Sequence, residues 1–258
     1  MRIILPFLLI LLTGCGSTGY SPTAYPFQIQ AEVLQEKPLK KLVLATVNFS
    51  GEPTRGYLEK SAYRIDTLVE DYLKTNGYAL APSYVFENAW KQALRTYGEI
   101  YDPTTGRVDQ RTWQLVMLAT ADALKEADPG IDAIVFTDLI EHDVQHSGGM
   151  KHYARWNGVT RKPDTQGPGT GVPVGFDWTQ NIKGASLAVN IYNVDMQGLF
   201  RSYGGLDTLQ AIDLKMSDPA FVRKKKILDK ESHLMEGIRL AFHPFIPMKD
   251  YPGQAPAQ

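Results

Sequence analysis

Ile131-Asp132-Ala133-Ile134-Val135-Phe136-Thr137-Asp138-Leu139-Ile140 is the most strand-like run in the chain. Its residues Ala133 to Phe136 are continuously apolar. So short a run with no polar face is what a central strand covered on both sides requires. Such a strand calls for a sheet with helices packed on it, and the flanking sequence has to supply both. The continuation through His142 and Val144 is more polar.

Toward the amino terminus the hydrophobic period switches repeatedly. Leu42-Val43-Leu44-Ala45-Thr46-Val47 is a short β-rich run stopped at 48–53, and it reads as a buried strand. Leu58, Ala62, Ile65, Val69 and Tyr72 recur at alternating spacings of four and three, on one face of a helix that stops at Asn76-Gly77. Tyr78 to Ala81 has the length of an edge strand. Ser83 is placed to cap a second helix carrying Phe86, Ala89, Trp90, Ala93 and Tyr97. Asp109 can cap a third, carrying Trp113, Val116, Met117, Thr120 and Leu124, which Asp128-Pro129-Gly130 closes.

On the other side of the central run, 147–183 is rich in glycine and proline and shows no period, as in a long loop insertion. Alternation returns at Ala185 with Leu187, Val189 and Ile191 on one face. Turn residues 193–198 and a returning strand Leu199 to Ile212, with a bulge expected at Gly204-Gly205, complete a hairpin. Asp218-Pro219 places a cap and a first-turn proline ahead of a last helix that His243-Pro244 stops. The expected fold is α/β: one domain, 41–243, with a mixed sheet of about five strands packed by about four helices. Residues 244–258 read as a loose tail.

Composition narrows the function classes. Of 258 residues 43% are apolar and 21% charged, ordinary for a globular chain, and a net charge of −1 gives no electrostatic case for nucleic acid. The single cysteine excludes an internal disulfide.

That cysteine ends a distinctive segment. Arg2 precedes the apolar run Ile3 to Leu12, which is shorter than the roughly 20 residues a membrane-spanning helix needs. The run closes in Leu12-Thr13-Gly14-Cys15, which resembles the lipobox of bacterial lipoproteins. The resemblance implies a signal peptide over 1–14, a Cys15 acylated by chains such as palmitate, and a lipid bilayer as the first partner. The alternative, an ordinary cleaved signal with a chance cysteine, also implies export. Each buried methylene contributes about 0.8 kcal/mol, so two or three acyl chains would anchor the protein essentially permanently. Residues 15–40, rich in Ser, Thr, Pro, Gly and Gln, read as a flexible tether. Gly16 stands where an aspartate would favour the inner membrane, so the resemblance points to the periplasmic face of the outer membrane.

The order of elements also resembles the α/β domain of the TolB amino-terminal region, of curli-secretion lipoproteins and of lipoproteins that activate penicillin-binding proteins. Lys41 to Asn48 followed by the Leu58 to Gly77 helix, and the hairpin Leu187 to Tyr203, carry the resemblance. It implies an adaptor or assembly role with an envelope protein as partner.

Chemistry-bearing residues are sparse. His142, His146 and His152, with Glu141 and Asp143, are of metal-ligating type. On a strand His142 and His146 would stand about 13 Å apart, too far to share an ion. On a helix they would sit one turn apart and could both bind, but Gln145 to Gly149 is a poor helix interior, so no metal or other cofactor is expected. Ser186 follows Gly184-Ala185 but sits in an alternating strand, away from the strand-to-helix turn that a nucleophile elbow needs. The glycines of 167–175 lack the Gly-Lys-Ser/Thr ending of a phosphate loop. Asp138, Glu141 and Asp143 are ordinary carboxylates for a strand's exposed face, so no catalytic set is expected. The insertion interleaves Tyr153, Trp156, Phe176 and Trp178 with Lys151, Arg155, Arg161 and Lys162, and aromatic residues and arginine are enriched where partners bind. Tyr153, Arg155, Trp156, Phe176 and Trp178 are therefore candidate partner contacts, or else pins that hold the loop to its domain. Arg223 to Lys226 is a basic cluster expected within the last helix, as a solvated face or a contact for acidic partners or headgroups.

Overall fold

The structure, a computed structural model, describes residues 27–46, 48, 56–102, 105, 107–146, 152–168, 171–215 and 217–248. The signal-like segment, Cys15 and Lys151 lie outside the described residues. In chain order the elements are β1 (Gln28–Ile29), α1 (Ala31–Glu36), β2 (Lys41–Leu44), α2 (Gly56–Glu59), α3 (Ala62–Thr75), β3 (Ala79–Ala81), α4 (Ser83–Tyr97), α5 (Gln110–Ala127), β4 (Ala133–Val144), β5 (Ala154–Trp156), β6 (Val159–Arg161), β7 (Asp164–Gln166), β8 (Ile182–Asn193), β9 (Gly198–Thr208), β10 (Gln210–Asp213), β11 (Ala220–Arg223) and α6 (Glu231–Phe242).

The fold is mixed α/β. A six-stranded sheet runs β1-β9-β8-β4-β2-β3, with β2 parallel to β3 and β4, and with β4, β8 and β9 antiparallel. The continuous apolar run in β4 is explained by burial on both faces. Ala133 and Val135 pack with Ile65, Val69 and Leu73 of α3 and Leu234, Ile238 and Phe242 of α6. Ile134 and Phe136 face Phe86, Ala89 and Trp90 of α4 and Val116, Met117 and Leu124 of α5. Asp109 caps α5, accepting from Arg111 N at 2.9 Å and Thr112 N at 3.2 Å. Gly77, at φ 89°, takes the left-handed position past the end of α3.

Several expectations are corrected. Order begins within the expected tether: Gln28 and Ile29 pair with Arg201 and Phe200, so β1 satisfies backbone groups that β9 would otherwise leave open. The expected tail is packed as far as Met248, since Phe245 lies 5.4 Å from the Tyr78 ring and Ile246 is buried. Residues 220–223 form β11 by pairing with β10, so the last helix starts only at Glu231 and the basic cluster precedes it. Ser83 makes no capping bond; Pro82 occupies the cap position. Tyr97 is on the exposed side of α4.

The insertion holds three short strands, β5, β6 and β7. Asn157 and Gly158, at φ 38° and 82°, form the tight turn between β5 and β6, the arrangement an Asn-Gly pair favours.

Candidate functional site: the insertion and its aromatic seat

The β5–β6 hairpin lies on the main sheet where two glycines leave room for it. A Cβ on Gly184 would come within 2.7 Å of Val144 and 3.1 Å of the Trp156 ring, and one on Gly205 within 2.3 Å of Val159. Trp156 sits over this gap with Val144, Ala154, Val159, Ile182 and Leu240 and donates from Nε1 to the Ala185 carbonyl at 3.2 Å. Gly205 N donates to the Asn157 carbonyl at 2.8 Å. Arg161, with only 5% of its side chain exposed, reaches across to β9 and α6. Its Nε donates to the Leu206 carbonyl at 2.8 Å, and one terminal nitrogen to Glu236 Oε2 at 2.6 Å.

Asn157 also donates from Nδ2 to Ser186 Oγ at 2.8 Å, and that oxygen is 3.2 Å from His142 Nε2. A serine beside a histidine invites a nucleophilic reading. Ser186, however, is 0% exposed beneath the hairpin, so no substrate carbonyl can reach it. The contact fastens the turn to the sheet. Burial holds the His142 imidazole below its ordinary pKa, with Asp143 opposing. Lys183 Nζ lies 2.6 Å from the exposed Asp143 and 3.9 Å from Glu141, but the Glu141 side chain is only 8% exposed and Asp138 is buried, so these two do not lie on the exposed strand face expected for them.

Beyond the hairpin, a strap of residues 171–181 returns to β8 and carries Phe176 and Trp178. The two rings join His146, His152 and Phe221 in one cluster. His152 stacks on Trp178 at 3.7 Å and 5°, His146 stacks on Phe221 at 5.3 Å and 8°, and His146 meets Trp178 edge-on at 5.5 Å and 78°. Phe176 packs against Trp178 and Phe221 at 4.8 and 5.1 Å. His146 is 7% exposed, and among the described residues neither of its ring nitrogens has a hydrogen-bond partner. Its burial, with His152 nearby, pushes its pKa down.

Five candidate contacts thus separate into two groups. Trp156 and Phe176 are buried and Trp178 is half-buried, so these aromatics hold the insertion to the domain. Arg155 is exposed, and Tyr153 is half-buried beneath Lys162, whose Nζ is 5.8 Å from the ring centroid. Of the histidines, His142 turns to Ser186, while His146 and His152 meet at Trp178. Among the described residues no group of three or more His, Cys, Asp or Glu is placed to hold a metal ion. Within the basic cluster, Arg223 lies 3.8 Å over the Tyr57 ring and Lys224 is buried between Asp164 and Asp207, leaving Lys225 and Lys226 exposed.

Sequence reasoning missed Asn157-Gly158, a standard hairpin signal inside a stretch read as periodless. Phe221 falls within the span expected for the last helix, and nothing local marks it as the floor of a ring cluster. Compared with family models, curated proteins and solved structures, the chain matches none of them.

Proposed function

We propose that the protein is a non-catalytic adaptor or assembly factor of the cell envelope, anchored through acylated Cys15 at the periplasmic face of the outer membrane. Its partner surface is the outer side of the insertion, around Tyr153, Arg155 and Lys162. The observation that supports this reading is the fastening of the hairpin's inner side by Trp156, Asn157 and Arg161. A surface already ordered before binding avoids the entropy cost of ordering a loop on contact. The lipobox-like Leu12-Thr13-Gly14-Cys15 supports the anchor, and the resemblance of the sequence's expected element order to adaptor lipoproteins supports the role.

Photo-crosslinking in living cells tests it, with the probe at Arg155 and a control probe at Tyr63, which is 83% exposed on α3. The expected result is one discrete protein adduct from Arg155 and none from Tyr63. No adduct from Arg155, in protein correctly fractionating with the outer membrane, overturns the assignment of this surface.

A second reading, a binding module for a small solute, metal or cell-wall fragment, draws on the unpartnered His146 ring nitrogens. It predicts ligand-dependent thermal stabilisation, about 2.7 kcal/mol at a concentration 100 times Kd.

A further inference from the structure

The strap 171–181 is attached in an unusual way. Its hydrogen bonds are local: Phe176 N to the Pro173 carbonyl at 3.1 Å, and Thr179 N and Oγ1 to Asp177 Oδ1 at 2.9 and 2.6 Å. Among the described residues no hydrogen bond or ion pair ties it to another element. What holds it down is the insertion of Phe176 and Trp178 into the ring cluster, and His146 contacts both sides of that joint, Trp178 on the strap and Phe221 on β11.

His146 is also poorly provided for as a cation. From the strap it meets Trp178, with Asp177 exposed and bonded to Thr179. From β11 it meets Phe221, and from the segment entering β5 it faces His152 and pairs with Ala154. On β4, which ends two residues before it, His142 is engaged with Ser186, and Asp143 with Lys183. Among the described residues no carboxylate pairs with it. An unpaired charge buried among rings is expensive, and His152 adds like-charge repulsion.

We propose that the strap is an acid-released latch keyed by His146, docked while the imidazole is neutral and undocked when it takes up a proton. The linkage has a definite sign. The docked state holds His146 below its ordinary pKa, so undocking binds a proton, and docking weakens as pH falls below about 6.5. Release would uncover Trp178, Phe176 and Phe221, an aromatic surface that neutral pH keeps closed. The latch is independent of the adaptor reading, because it concerns only how the strap seats on its own domain.

The test is fluorine NMR of the full chain labelled with fluorotryptophan, the Trp178 resonance being assigned by Trp178→Phe. Between about pH 7.5 and about pH 5 the Trp178 resonance is expected to move to a solvent-exposed position, while those of Trp90 and Trp113 stay in place. His146→Phe retains the ring packing and cannot titrate, so its Trp178 resonance should stay put over the same range. If that variant does not fold, His146→Gln serves the same purpose. A pH transition at Trp178 that survives substitution of His146 overturns the latch. So does a parent protein in which Trp178 does not move, or one in which all four tryptophans move together as the domain unfolds.

Discussion

Arg161 concentrates more of the insertion's attachment than any other single polar side chain described. Its guanidinium donates to the Leu206 carbonyl and to Glu236 while almost wholly out of water. Removing it takes away the donor to the buried Leu206 carbonyl and one partner of Glu236. Arg161→Ala is therefore expected to destabilise the domain by about 2–3 kcal/mol, read as a lower urea midpoint at unchanged slope. Arg161→Lys keeps the charge but cannot hold two acceptors with one planar fork, so it should recover only part of that loss. A midpoint within error of the parent for Arg161→Ala would show that the hairpin is held by Trp156 and its neighbours alone.

At the scale of elements, the approach of α6 to β9 depends on glycines. A Cβ at Gly204 would lie 1.9 Å from the Gly237 carbonyl oxygen, and one at Gly237 would lie 2.4 Å from that of Gly205. These are backbone atoms, which cannot swing aside as side chains do. Gly204→Ala and Gly237→Ala should each push the helix off the sheet and cost at least about 3 kcal/mol, measured as loss of thermal stability, whereas Gly171→Ala, with open space around it, should be near neutral. The sequence reading treated Gly204-Gly205 as a bulge. The extra residues of β9 fall just beside that pair, between Gly205 and Thr208, and again between Gly198 and Phe200, while Gly204 serves the helix approach and Gly205 seats the β5–β6 hairpin.

That case shows where legibility ends. Four of the five strands expected from period and apolar runs enter the main sheet, and the Asp109 cap is found where its residues place it. The fifth, Leu199 to Ile212, breaks at Leu209, so that β9 joins the main sheet and β10 a separate one. β1 and β11 were missed because their cause is a distant edge, β9 for one and β10 for the other. The ring cluster of the candidate site fails for the same reason. His146, His152, Trp178 and Phe221 span 75 positions of chain (221 − 146), and no local pattern relates them.

For the whole molecule, acid should act through two separate sets of groups. Burial holds His142, His146, His233 and His243 below the ordinary histidine value. These groups bind fewer protons folded than unfolded, so stability falls as pH drops through about 6.5 and below. The second set is carboxylic. The Thr112 backbone N–H at Asp109, Lys41 at Asp128, Thr179 at Asp177 and Lys125 at Asp195 hold these acids below the usual range. Their contribution is complete above the unfolded value near 3.9 and is lost only as pH falls beyond it. Asp195, in turn, raises the Lys125 pKa, an effect present through neutral pH and lost only in strong alkali. Stability should therefore be level from about pH 7 to about pH 9, fall at pH near 5.5 and fall again near 3.5. Urea midpoints across that range check it. A midpoint unchanged from about pH 7.5 to about pH 5.5 would mean that these four imidazoles gain no protons on unfolding in that window, and the histidine contribution would be withdrawn.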